Sequence, residues 1–113
     1  MHTTKILTRK LEDALADLAK DCLYPVEVAA RLLAAGCTGQ PNECSTCPVA
    51  VWLAKRLDLP SDFSVVVDES EATLIPDRDE FAPMPVAALP GVIGEFIRQF
   101  DRQPEDYPDL VAP

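Results

Sequence analysis

Apolar residues recur through the first part of the chain at steps of three and four. Leu7, Leu11, Ala14 or Leu15, Leu18 and Cys22 therefore fall on one face of a helix, with Thr3 or Thr4 placed to cap it. Leu23 and Tyr24 break that period. Pro25 suits the first turn of a second helix whose apolar face is Val28, Ala29, Leu32 and Leu33, and Gly36 stands where a C-cap is expected. Between Cys37 and Cys47 the residues Thr38, Gly39, Gln40, Pro41, Asn42, Glu43, Ser45 and Thr46 are turn formers, which predicts an ordered loop. Pro48 opens a third helix. Its Val49, Val51, Trp52, Leu53 and Leu57 make it apolar on nearly all sides, leaving Lys55, Arg56 and Asp58 for water and predicting a central position.

Beyond residue 60 the period changes from helical to alternating. Phe63, Val65 and Val67 alternate with Ser64 and Val66, and Ala72 to Ile75 form a second β-prone run after the polar turn Asp68 to Glu71, which predicts a hairpin. The segment Pro76 to Pro85 is too rich in proline and charge for a regular element, so an extended connection is expected there, with Met84 to Ala87 able to pair as an edge strand. Pro90 opens the last helix, in which Leu89, Ile93, Phe96 and Phe100 follow the steps four, three and four, flanked by Val92 and Ile97. After Asp101 two prolines and no helical period predict a tail, docked through Tyr107 and Leu110.

These elements describe an α+β class: three N-terminal helices, a β-hairpin with a third edge strand available, and a C-terminal helix, in an order loosely like that of a winged helix. At 113 residues the chain fits one domain, with residues 1–3 and 104–113 as flexible or docked termini. A hydrophobic content of 48% beside 26% charged residues predicts an ordinary packed core. No apolar run approaches the roughly 18 residues of a membrane span, and Met1 to Lys20 interleaves leucine with charge as no signal peptide does, so the expectation is a cytosolic protein without a membrane partner.

Charge narrows the choice of partner. The net charge of −9 is unevenly placed: seven Lys or Arg stand against six acids in residues 1–56, and three against thirteen in residues 57–113. Such a surface repels phosphate backbones, which disfavours nucleic acid and favours solubility or a basic protein partner. The winged-helix comparison suffers in particular, because the would-be reading helix offers only Lys55 and Arg56, and the wing tip carries Glu69 and Glu71.

One cluster invites chemistry. Cys44 and Cys47 form a CxxC pair with Cys37 seven residues earlier, the spacing of a zinc or redox site. Cys22 is the one thiol left to complete a four-ligand set, since the sole histidine is His2 at the terminus. As a fourth ligand Cys22 is doubtful: a helix of about ten residues at ~1.5 Å each places it roughly 15 Å from Cys37. Cys47, directly before Pro48, would occupy an N-cap, where the helix dipole lowers a thiol pKa and would make it a nucleophile with Cys44 as its resolving partner. Against a thioredoxin-like unit, no strand precedes the motif. Thiols packed under the loop without metal are therefore expected ahead of zinc or redox chemistry.

Other catalytic classes find no residues. A Ser-His-Asp set would have to use His2, and Gly36, Gly39, Gly91 and Gly94 form no phosphate-cradling loop followed by Lys. Carboxylate pairs such as Asp77 with Asp79, or Glu105 with Asp106, read as solvated surface. Trp52 is expected to anchor the core, with an exposed partner-binding role as the alternative. No catalytic residue is assigned.

The segments CPVAVWL at 47–53 and FIRQFDRQPEDYPDL at 96–110 resemble small proteins of actinobacteria and their phages that pair a Gly-rich turn and a CP-hydrophobic-Ala helix with a closing FD and YPDL segment. The likeness spans most of residues 25–111. It implies a bacterial cytosolic setting on a mobile element, and it brings no activity. In that pattern the cysteine before Pro48 recurs while companion cysteines vary; this chain departs by also having Cys22, Cys37 and Cys44, which makes a shared metal site less expected and suits Cys47 as a packed N-cap. The leading expectation is a non-enzymatic protein-interaction module engaging a partner through Tyr107 and Leu110. The alternatives are a thiol redox or structural zinc protein using Cys37, Cys44 and Cys47, and a winged-helix-like regulator.

Overall fold

A computed structural model describes residues 2–58, 63–76 and 84–113. Among them are four α-helices, α1 (His2–Ala19), α2 (Pro25–Ala34), α3 (Pro48–Leu57) and α4 (Gly91–Arg102), and three strands, β1 (Phe63–Val67), β2 (Glu71–Pro76) and β3 (Val86–Ala88). The expected connection 76–85 and the pair Asp77 and Asp79 lie for the most part outside the described residues. The class is α+β, as the change of hydrophobic period implies.

The strands form an antiparallel meander in the order β1-β2-β3. Val65 pairs with Leu74, Val67 with Ala72, and Ala72 in turn with Ala87. Because side chains alternate across a strand, this register gathers all five on one face, and all five are buried. The hairpin turn is held by Asp68, whose Oδ1 accepts the Ser70 and Glu71 backbone N–H groups at 2.7 and 2.8 Å. These bonds hold the Asp68 carboxyl below its ordinary pKa. The third strand is Val86–Ala88, a little beyond the stretch whose composition suggested an edge strand.

Helix α3 lies on β1 and α1 on β3, while α2 packs against α4. The stripe Leu11, Ala14, Leu15 and Leu18 of α1 is buried as its spacing requires, and so are Ile93, Phe96, Ile97 and Phe100 of α4. Gly94 belongs to that stripe because the Glu69 carbonyl oxygen of the hairpin turn occupies the place a Cβ would take. Trp52 is half-buried against the core. Among the described residues no polar or charged side chain is buried, so the interior is apolar throughout.

Two sequence expectations change here. Thr3 and Thr4 lie within α1, which begins at His2, and not ahead of its first turn. Leu33 does not join the core face of α2: Pro25, Val28, Ala29 and Leu32 fill that face, and Leu33 points outward. A short helix has room for only one core stripe of about 100°.

The C-terminal segment is docked. Two 3₁₀ turns, Pro104–Asp106 and Pro108–Leu110, follow α4, and Leu110 is buried. Tyr107 meets Phe96 edge-on with ring centroids 5.3 Å apart and donates its hydroxyl to Gln99 at 2.8 Å. Gly39 and Val111 form a parallel bridge, with Gly39 N–H donating to Leu110 O and Ala112 N–H donating to Gly39 O, both at 2.9 Å.

Candidate functional site

Two places carry the residues singled out by the sequence: the loop at the start of α3, and the groove between α2 and the C-terminal turns.

The loop begins where α2 ends. Gly36 takes a left-handed φ of 71°, its N–H donates to Leu33 O, and the Cys37 N–H reaches back to Leu32 O, both at 3.0 Å. This paired closure needs a left-handed residue, and the Cys37 side chain that follows it is buried. Farther along, Asn42 is fixed to α4 by two acceptors of one residue: its N–H donates to Asp101 Oδ1 at 2.8 Å and its Nδ2 to Asp101 O at 3.1 Å. The Cys44 carbonyl accepts the Val67 N–H at 2.9 Å, which ties the loop to the end of β1.

Cys47 caps α3 as expected, its Sγ accepting the Ala50 N–H at 3.4 Å. The direction of its pKa shift is opposite to the lowering that the redox alternative invokes. Burial pushes the thiol pKa above its ordinary value and outweighs the Ala50 and Val49 N–H groups that pull it down, while Asp101 and Cys44 push it further up. Cys37 is likewise raised by burial, against a small opposing pull from Lys55.

The four cysteines are free and differently placed: Cys37 and Cys47 are buried, Cys22 is half-buried, and Cys44 is exposed. The Cys22 thiol donates to Leu18 O at 3.6 Å and the Cys37 thiol to Ala35 O at 3.8 Å. Among the described residues no three His, Cys, Asp or Glu side chains are arranged to hold a metal ion, so the structure does not gather Cys37, Cys44 and Cys47 into a ligand set. Cys44 and Cys47 do share one open cavity of about 290 Å³, lined also by Asn42, Glu43, Asp68 and Asp101.

The second place is built on α2, whose sequence carries two charged residues, and both are engaged within the domain. Glu27 Oε1 accepts the Leu23 and Tyr24 N–H groups at 2.8 and 3.0 Å, satisfying backbone donors at the entry to the helix. Arg31 Nη1 donates to Asp17 O and Leu18 O at 2.9 and 3.1 Å, closing the C-terminal end of α1. What α2 shows to the outside is therefore apolar. Val26, Ala30 and Leu33, at steps of four and three, form a second stripe beside the core stripe.

That stripe lines a groove of about 240 Å³ whose opposite wall is Tyr107, Pro108 and Leu110, with Asp106 and Asp109 on the same wall. Leu23, Tyr24, Val26 and Leu33 are 79%, 65%, 62% and 47% exposed, so the apolar surface continues past the groove to the α2 entry. The expected partner residues Tyr107 and Leu110 are brought together here. Leu110 is nearly fully covered and serves as groove wall and tail anchor, whereas Tyr107 remains half-exposed. The outward stripe of α2 went unnoticed in the sequence. The signal is present in Val26, Ala30 and Leu33, at helical spacing beside the core stripe.

No family model, no curated protein and no solved structure matches the chain. Among the described residues no helix is long and apolar enough to cross a membrane.

Proposed function

We propose that this domain is a protein-binding module that seats an apolar side chain of a basic, amphipathic helical segment in the groove between α2 and the C-terminal turns. The observation that carries the reading is the outward stripe of α2. A surface helix ordinarily turns charge to water, yet here both charges are consumed as caps and the apolar face stands open. A groove of this kind accepts a helix whose anchors recur at i, i+3, i+4 and i+7. The acidic wall residues Asp106 and Asp109, set in a chain of net charge −9, select basic flanks on that helix. A cytosolic setting suits the four free thiols.

A photo-reactive residue placed at Leu33, with a second protein carrying it at the exposed Glu12 of α1, tests the reading in the native host. The expected result is a cross-linked segment rich in Lys and Arg with apolar residues at helical spacing, formed from position 33 and not from position 12. Equal cross-linking from both positions, or an acidic segment at position 33, would refute it.

A further inference from the structure

We infer that Cys44 and Cys47 form a thiol-disulfide pair that reacts with low-molecular-weight disulfides, Cys44 as the attacking thiol and Cys47 as the resolving one. The inference is independent of the α2 groove. It reverses the roles that an N-cap position alone would suggest.

The pair stands apart from the other thiols by geometry. Residues 44–46 form a tight turn that delivers Cys47 to the first position before α3, and Thr46 N–H donates to Glu43 O at 3.2 Å. Cys44 lies inside that Glu43–Thr46 turn and Cys47 directly after it; a disulfide between them requires Cα atoms ~4.4 to 6.8 Å apart. Both side chains line the same cavity. Cys22 and Cys37 line no part of that cavity, and their thiols are turned to carbonyls at the ends of α1 and α2.

Accessibility sets the order of attack. Cys44 is exposed and open to a small disulfide, whereas Cys47 is buried with its proton held more tightly than usual. In the first step the Cys44 thiolate attacks one sulfur of the small disulfide; its S–S bond breaks, one thiolate leaves, and Cys44 carries a mixed disulfide. In the second step the Cys47 thiol loses its proton to solvent and attacks the Cys44 sulfur, expelling the second small thiolate. Two protein thiols are oxidised to one disulfide, and one small disulfide is reduced to two thiols.

The product differs structurally from the reduced form. Cys47 Sγ ceases to be a free N-cap, and the loop held to β1 through Cys44 O and Val67 N–H becomes covalently joined to the start of α3. The acidic cavity between them is the region whose shape changes.

The experiment treats the folded protein with oxidised glutathione, blocks remaining thiols after unfolding, and maps the peptides by mass. The expected product is an intramolecular Cys44–Cys47 disulfide with Cys22 and Cys37 blocked and no glutathione retained. Decay of the mixed-disulfide intermediate should quicken about tenfold per pH unit below the resolving thiol's pKa. In Cys47→Ser the adduct should persist on Cys44. Should that variant fail to fold, the map of the unaltered protein decides alone. A stable glutathione adduct on Cys44 in the unaltered protein, a bridge to Cys22 or Cys37, or no oxidation would each overturn the assignment.

Discussion

Replacing Gly39 with alanine should destabilise the domain by about 2–3 kcal/mol, and the structure shows where that figure comes from. A Cβ at this position would lie against the Thr46 carbonyl oxygen, far inside van der Waals contact, with the Cys47 carbonyl carbon and the Pro48 nitrogen at 2.6 Å. All three are backbone atoms, so no side chain can swing aside. The loop would have to separate by about 1 Å to reach ordinary contact. Gly39 is also where the loop meets the tail. Such a shift strains three hydrogen bonds at 2.9 Å: Gln40 N–H to Thr46 O, Gly39 N–H to Leu110 O, and Ala112 N–H to Gly39 O. At about 1 kcal/mol each they sum to about 3 kcal/mol, reduced by up to ~1 kcal/mol because alanine restricts the unfolded chain. Urea unfolding followed by circular dichroism measures the change, with two other glycines as internal standards. Gly91→Ala meets open space in the first turn of α4 and should be neutral or stabilising by up to about 1 kcal/mol. Gly36→Ala also meets open space but must keep a φ of 71°, which costs about 1–2 kcal/mol. A Gly39→Ala midpoint within error of the parent, alongside the expected Gly36→Ala loss, would refute the close approach of loop and α3.

Three further outcomes follow from the packing. Burial raises the Cys37, Cys47 and Tyr107 pKa values above their ordinary 9.0, 9.0 and 10.0. The folded form then holds protons that the unfolded form releases, so their contribution to stability is intact below pH 9 and declines as pH rises through the folded values. The slope is at most about 1.4 kcal/mol per pH unit for each fully titrating group, and denaturation midpoints at pH 7.5, 9.5 and 10.5 should fall in that order. Arg31→Ala uncaps Asp17 O and Leu18 O and should cost about 1 kcal/mol in urea unfolding, whereas Arg56→Ala, which removes an exposed ion pair with Asp17, should cost under about 0.5 kcal/mol. Leu110→Ala opens a cavity under the tail and should cost about 2–4 kcal/mol, with faster amide exchange at Gly39 and Ala112, which hydrogen-bond across the loop and tail.

The elements were legible wherever one face of a segment is strongly apolar. Leu11, Leu15 and Leu18, the alternation of Phe63, Val65 and Val67 with Ser64 and Val66, and Ile93, Phe96 and Phe100 each declare their type because burial demands one period. Cys47 as the cap of α3 was legible for a similar reason, since Pro48 marks the first helical turn. Long-range polar bonds were not. Arg31 reaching the end of α1, and Asn42 meeting Asp101 fifty-nine residues away, depend on how helices pack and leave no local signature. Leu33 misled because α2 is apolar on two sides, and periodicity alone does not say which side another helix covers. For the Cys47 thiol the sequence left two readings open: an N-cap position and a buried position push its pKa in opposite directions, and only the structure gives the depth of burial. The docked tail was legible in its anchors Tyr107 and Leu110. Its partner Gly39 was not, because a backbone bridge needs no particular side chain.

The groove is tested most directly by adding a synthetic helical peptide of leucine at i, i+3, i+4 and i+7 with lysine elsewhere to the ¹⁵N-labelled domain, beside a glutamate-for-lysine copy of it. Amide shifts should cluster at residues 23–34 and 106–110 for the lysine peptide alone, weaken as salt rises, and disappear in Val26→Asp and Leu33→Asp, two exposed positions whose change leaves the core intact. Equal shifts with the glutamate peptide, or shifts centred away from α2 and the C-terminal turns, would contradict the account.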